Sequence, residues 1–378
     1  MRTLSILLLS LFFVTALSAQ SLNIPAKHWG LSIGNSSTFT GLRINFSDKN
    51  LEQINGINIT LWKARTNETG VINGLALGVV GPEARDINGV ALGLGVGASR
   101  RLRGVSLGVL GVGAGGDVKG INIGGLGVGA GGNLCGLNLG GLGVGSGGDV
   151  RGINISGLGV GSGGNLSGFS FGLLGVGGGE NVSGITIGGL GAGASKDLQG
   201  FTFALLGAGA GEDMKGVVIG GLGCGAGGDA TGVFVAGFGC GAGGDAKGIF
   251  LSGLGCGAGG DATGIFLAGL GVGAGGRLSG LSFGLAGVGA GKEIKGGALA
   301  AAMIKTPKFK GIGSASYMRI GQFKGLCLGG VTNFDAANGL SIALVNVARE
   351  LNGVQVGLVN YAGNNKMFKY FPFFNAHL

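Results

Sequence analysis

Gly120-Ile-Asn-Ile-Gly-Gly-Leu-Gly-Val-Gly-Ala-Gly-Gly-Asn-Leu-Cys135 is one of twelve back-to-back units of equal length. They run from Gly104 to Lys295 without insertion or deletion, and each opens on glycine: Gly104, Gly120, Gly136 and so on to Gly280. A strict short period means that each unit makes its main contacts with its neighbours, as in a solenoid. Counting from the glycine, apolar residues fall at positions 2, 4, 7, 9, 11 and 15. Positions 2 and 4 flank a variable residue, and positions 7, 9 and 11 alternate with glycine, which is a strand pattern. Gly-Gly followed by Asp or Asn at positions 12–14 is a turn signal. One unit therefore reads as two short strands and two bends. Stacked one coil per unit, strand on identical strand, the chain is expected to be an all-β, single-chain parallel β-solenoid with rungs ~4.8 Å apart. On this reading Ile121 and Ile123 face Leu126 and Val128 across a thin core, and Leu134 fills the corner.

The alternative is an outer-membrane β-barrel with one unit per antiparallel strand. Alternating apolar residues fit it. A lumen lined by glycine, the lack of aromatic girdles across the twelve units and the absence of long loops count against it.

Composition narrows the function classes. Of 378 residues 95 are Gly and only 4 are Pro, without a Gly-X-Y triplet, which excludes collagen. A hydrophobic content of 45% with 11% charged residues argues against disorder. The net charge of +9 is scattered, with no Lys/Arg-rich run interleaved with aromatics, so no nucleic-acid partner is expected. The five cysteines show no Cys-x-x-Cys spacing and form neither a disulfide framework nor a metal motif. The Gly-x-Gly-x-Gly stretches recur everywhere and open no helix, so they are not phosphate loops.

Residues 1–19 read as a signal peptide, with Arg2, an apolar core over Leu4–Val14 and the small-residue region Ala16-Leu-Ser-Ala19. Residues 20–40 read as an N-terminal lead-in segment. Irregular repeats follow over 41–103, starting at Gly41, Gly56, Gly74 and Gly89. The twelve strict repeats occupy 104–295. Shorter repeats fill 296–360, and 361–378 reads as a C-terminal cap.

The unit pattern, and above all Gly339-Leu-Ser-Ile-Ala-Leu-Val-Asn-Val-Ala-Arg-Glu-Leu-Asn-Gly-Val-Gln-Val-Gly-Leu-Val-Asn-Tyr-Ala362, resembles an uncharacterised family of bacterial Gly-rich surface-repeat proteins. Their units follow Gly-Val-Gln-Ile-Gly-Leu-Val-Asn, and their chains end in a short aromatic or proline-containing segment, here Phe371-Pro-Phe-Phe-Asn375. The resemblance covers nearly the whole chain beyond the leader. It implies an exported protein at the bacterial cell surface or outer membrane, with the periplasm or the medium as other destinations. It supplies no catalytic motif.

Candidate site residues come from position 3, expected to point outward. That column is polar until Val218, Phe234, Phe250 and Phe266, which follow one another on successive units. Stacked at rung spacing they form an exposed apolar strip, the expected contact for a surface partner, self-association or a membrane. On that expectation Phe250→Asp leaves the fold intact and abolishes binding. The bland reading is aromatic stacking within the sheet. Cys224, Cys240 and Cys256 at position 9 read as small buried apolar residues. Asp229, Asp245 and Asp261 at position 14 resemble calcium-binding Gly/Asp repeats in outline only, and read better as turn residues. Lys305–Lys310 and Arg319–Lys324 are basic runs at a solvated edge, with an acidic glycan as the other reading. His28 and His377 stand near opposite ends, and no Asp/Glu cluster for glycan cleavage is visible. The chain is therefore expected to be non-enzymatic, with no cofactor and no catalytic or metal-binding residues. A polysaccharide-active β-helix enzyme is the least favoured reading.

Overall fold

A computed structural model describes residues 21–65 and 69–377; the leader expected over 1–19 lies outside them. The chain divides into two compact units, 1–180 and 181–378. Both are parallel β-solenoids, and no helix occurs among the described residues.

The first unit opens with Ser21–Ala26 paired antiparallel to Trp29–Gly34. From there every pairing is parallel: Thr38–Asn45, Gln53–Thr60 and Val71–Gly78 stack in turn. In the strict block each repeat makes one coil, with a long strand such as Leu134–Gly140 or Val150–Ser156 and a short strand such as Gly127–Ala130 or Gly143–Ser146. Identical positions stack, Gly136 on Gly152, Asn138 on Asn154 and Val144 on Val160. Because each repeat contributes two strands that pair in parallel with their counterparts one repeat away, the barrel alternative is set aside.

The second unit repeats this plan. Met214–Gly220, Ala230–Ala236, Ala246–Ser252 and Ala262–Ala268 stack in register. From Met303 to Ala362 strand continues through bends at the positive-φ glycines Gly311, Gly325, Gly339 and Gly353, each lying on the one before, and Tyr370–His377 returns antiparallel onto residues 353–361.

The position-1 glycine sits inside the long strand and sets its course. Gly120 has φ 122°, and a Cβ there would overlap the Gly104 carbonyl oxygen. Only glycine takes this conformation cheaply, so the strand changes direction at the same place on every coil.

Facing in the long strand is opposite to the sequence expectation. Position 15 is buried (Leu134, Val150, Leu166), and beyond the position-1 glycine, which is itself not buried, positions 3 and 5 face inside and positions 2 and 4 outside. Ile121, Ile123 and Leu126 are exposed, whereas Val128 and Leu134 are core as expected. Burial of the polar position 3 is eased because the amides bond to one another along the stack, with only the oxygen of the first, Asn122 Oδ1, left without a partner. Asn122 Nδ2 donates to Asn138 Oδ1 at 2.9 Å, and Asn138 Nδ2 to Asn154 Oδ1 at 2.8 Å. Apolar residues need not all be inside, and here the narrow interior has no room for them.

Candidate functional site

The strip expected to be exposed is core. Val218, Phe234 and Phe266 are 1% exposed and Phe250 is 0% exposed. The rings stack face to face, Phe234 on Phe250 at 4.7 Å and Phe250 on Phe266 at 4.9 Å between centroids. No partner reaches them from outside. The physical reason is a volume exchange across the coil. Where position 3 carries Phe234, Phe250 or Phe266, position 15 of the same strand carries Ala230, Ala246 or Ala262 in place of Leu, Ile, Val or Met, and all six are buried. Phe with Ala fills almost the same space as Asn with Leu, so packing density is kept. This reciprocity is visible in the repeat and signals that positions 3 and 15 share one interior.

The face that is available consists of positions 2, 4 and 7. In the second unit Leu190, Leu206, Leu222, Phe238, Leu254 and Leu270 form the position-7 column, each 44–57% exposed. In the first unit Leu126, Leu142, Leu158 and Leu174 do the same. Position 2 adds Ile121 and Ile153 in the first unit, and Ile185, Phe201, Ile249 and Ile265 in the second, all exposed. Stacked ~4.8 Å apart, these side chains are contiguous. Within each unit the stripe spans several coils, and an exposed apolar patch of this kind marks a contact site.

A polar ladder runs along the turns at the other bend of the coil. The position-14 side chains accept the backbone N–H of the same position one coil on. Asp229 Oδ1 accepts from Asp245 at 2.7 Å, Asp245 from Asp261 at 2.8 Å and Asp261 from Arg277 at 2.7 Å. In the first unit Asp149 Oδ1 accepts from Asn165 at 2.8 Å. That backbone donor, with Asn165 and Arg151 side chains alongside, holds the Asp149 carboxyl below the ordinary carboxylate range. These carboxylates cap turns. Among the described residues no three His, Cys, Asp or Glu side chains come together to hold a metal.

Cys224, Cys240 and Cys256 are buried free thiols, with Cys224 and Cys240 sulfurs 3.0 Å apart. Flanking thiols and burial push the Cys240 thiol up, which keeps it protonated. Arg43 and Asp48, both fully buried, pair inside the first unit, and Asn58 and Asn35 accept further bonds from the guanidinium at 2.6 and 2.7 Å, its Nε being left without a partner. Removing either charge would strand the other, which gives this pair a structural role. What the surface offers is contact: a long apolar stripe and, separately, a ladder of hydrogen-bonded turns. No protein family, curated protein or solved structure matches the chain.

Proposed function

We propose that this chain is an exported, non-enzymatic surface-repeat protein of bacteria with a structural or adhesive role. The contact is made by the apolar stripe at positions 2, 4 and 7. The observation that carries the reading is the uninterrupted exposure of Leu206, Leu222, Phe238 and Leu254 on successive coils. An apolar column of this length gains free energy from being covered, at ~25 cal/mol per Å² buried. A ladder of like residues is matched well by another ladder at the same spacing, so lateral association of copies is the favoured form of contact. The resemblance to surface-repeat proteins supports the exported address.

The test replaces Leu206, Leu222 and Leu254 together with Lys in the full chain. These side chains lie half in solvent, so the far-UV spectrum should stay unchanged. Sedimentation should show assemblies of the parent chain and a monomer of the variant. A parent chain that is monomeric at high concentration and does not adhere to cells would remove the basis for this reading.

A further inference from the structure

Glycine falls into two classes on this chain. At position 1 it is demanded by a positive φ and by the backbone of the preceding coil. At position 10 it is not, and at position 8 the constraint is looser than at position 1: a Cβ on Gly271 or Gly287 would stand 3.5 or 3.2 Å from a carbonyl oxygen of the next coil. The glycines at positions 8 and 10 are extended and alternate with the buried residues at positions 9 and 11, so they face outward. A Cβ built on Gly225, Gly241, Gly257 or Gly289 would meet nothing closer than 3.6 Å, and on Gly273 nothing within 4 Å. The next coil in register carries side chains at both positions: Gly287 pairs with Met303 and Gly289 with Lys305. Yet all twelve strict repeats keep glycine at both. Each costs ~0.5–1 kcal/mol relative to alanine in a strand. A bare sheet surface that the fold does not require suits close approach by another molecule.

In the second unit this strip ends in a cleft of about 1480 Å³. Its floor includes Gly273, Gly287 and Gly289, and its wall includes Lys305, Lys308, Arg319 and Arg349. Asp335 and Glu350 also line it, which leaves the cations in excess. Arg349 is paired with Asp335 at 3.4 Å. Lys305, Lys308 and Arg319 are exposed and make no ion pair among the described residues. The cleft is larger than the ~300–1,000 Å³ of small-molecule pockets. It joins a flat glycine floor, edged by Met303, to cations on two successive coils (Lys305 and Lys308, then Arg319), and Gln322 and Asn333 on the same wall can serve hydroxyl groups.

The geometry points to an acidic polysaccharide as the ligand, a chain of uronate sugars lying along the glycine strip with its carboxylates on Lys305, Lys308 and Arg319. Sugar rings present flat C–H faces that need an uncluttered floor. Their advance per residue is comparable to the ~4.8 Å rise of the coils. A single-stranded nucleic acid fits less well, because no aromatic residue lines the cleft to stack a base. This site is separate from the apolar stripe and stands whether or not that stripe self-associates.

The experiment measures binding of a fluorescent hexauronate to the full chain at low ionic strength. Binding that weakens with salt is expected, and a neutral hexaglucan should not bind. The double variant Lys305→Gln with Arg319→Gln should lose at least tenfold in affinity. Gly273→Val should abolish binding with a melting temperature no lower than the parent's, and Gly289→Met is the second block should Gly273→Val unfold. Absence of hexauronate binding overturns the proposal. Wild-type affinity in both folded floor variants overturns it too, since cations alone would then explain the binding. A single-stranded oligonucleotide that binds more tightly than hexauronate overturns the choice of ligand.

Discussion

Ile249 and Phe250 are neighbours in one strand and carry opposite weights. Ile249 is 37% exposed on the apolar stripe, while Phe250 lies between two parallel rings with no solvent contact. Placing a carboxylate at Phe250 would bury an unpaired charge among aromatic faces and leave much of the ring's volume empty. Phe250→Asp is therefore expected to cost more than ~4 kcal/mol or to unfold the second unit. Ile249→Asp, in a site open to water, should stay within about 1 kcal/mol. Urea unfolding of the two variants beside the parent separates these outcomes. Equal stability of Phe250→Asp and the parent would mean that the phenylalanine column lies on the surface after all. The position-3 residues were legible as a column from the repeat period, but their facing was not. Hydrophobicity pointed to Ile and Leu as the interior, and the correct signal was the exchange of Phe250 for Asn against Ala246 for Leu.

At the level of the strand, the two classes of glycine give a second contrast. Gly248 has φ 126°, and its Cβ would overlap the carbonyl oxygen of Gly232. Gly257 is extended, and its Cβ would sit 3.7 Å from the nearest atom. Gly257→Ala should raise stability by ~0.4–1 kcal/mol, because it restricts the unfolded chain without strain in the folded one. Gly248→Ala should lower stability by more than that, since both the backbone conformation and the stacking of coils oppose it. Thermal unfolding of both variants checks the pair, and a stabilised Gly248→Ala would contradict the assigned conformation. The existence of two strands and two bends per repeat was readable from alternation and from Gly-Gly-Asp/Asn. The extent of the long strand was not, because it runs through position 15 and the position-1 glycine, where a glycine signals a break. Val150–Ser156 is one continuous strand because Gly152 bends without interrupting its pairing to Gly136 and Gly168. That continuity fixes which residues face in, and so decides that the contact face is the Leu and Ile columns.

For the molecule as a whole, the period itself is the structural rule, and it can be tested without touching any single contact. Each coil in the strict block of the second unit pairs with the coil before it and the coil after it at identical repeat positions, as Phe234 with Phe250 and Cys240 with Cys256. Stability in such an array is close to a sum of coil terms and nearest-neighbour terms. Deleting Gly232–Lys247 removes one whole coil and brings Val218 beside Phe250, two residues that already share the same inward position. Glycine again stacks on glycine at position 1, and the Phe250–Phe266 pair is kept. This shortened chain should fold, with a far-UV spectrum like the parent's and a lower denaturant slope in proportion to the surface lost. Deleting only Gly232–Gly239 brings a short strand onto a long one. Position-1 glycines then meet residues with side chains, as Gly216 with Cys240, and the exposed position-7 column meets the buried position-15 column, as Leu222 with Ala246. That chain should lose the cooperative unfolding transition of the second unit. The comparison separates periodicity from composition, because both deletions leave the glycine and apolar content almost unchanged. If both shortened chains unfold alike, the coils do not act as exchangeable neighbours, and the fold depends on contacts reaching beyond adjacent repeats.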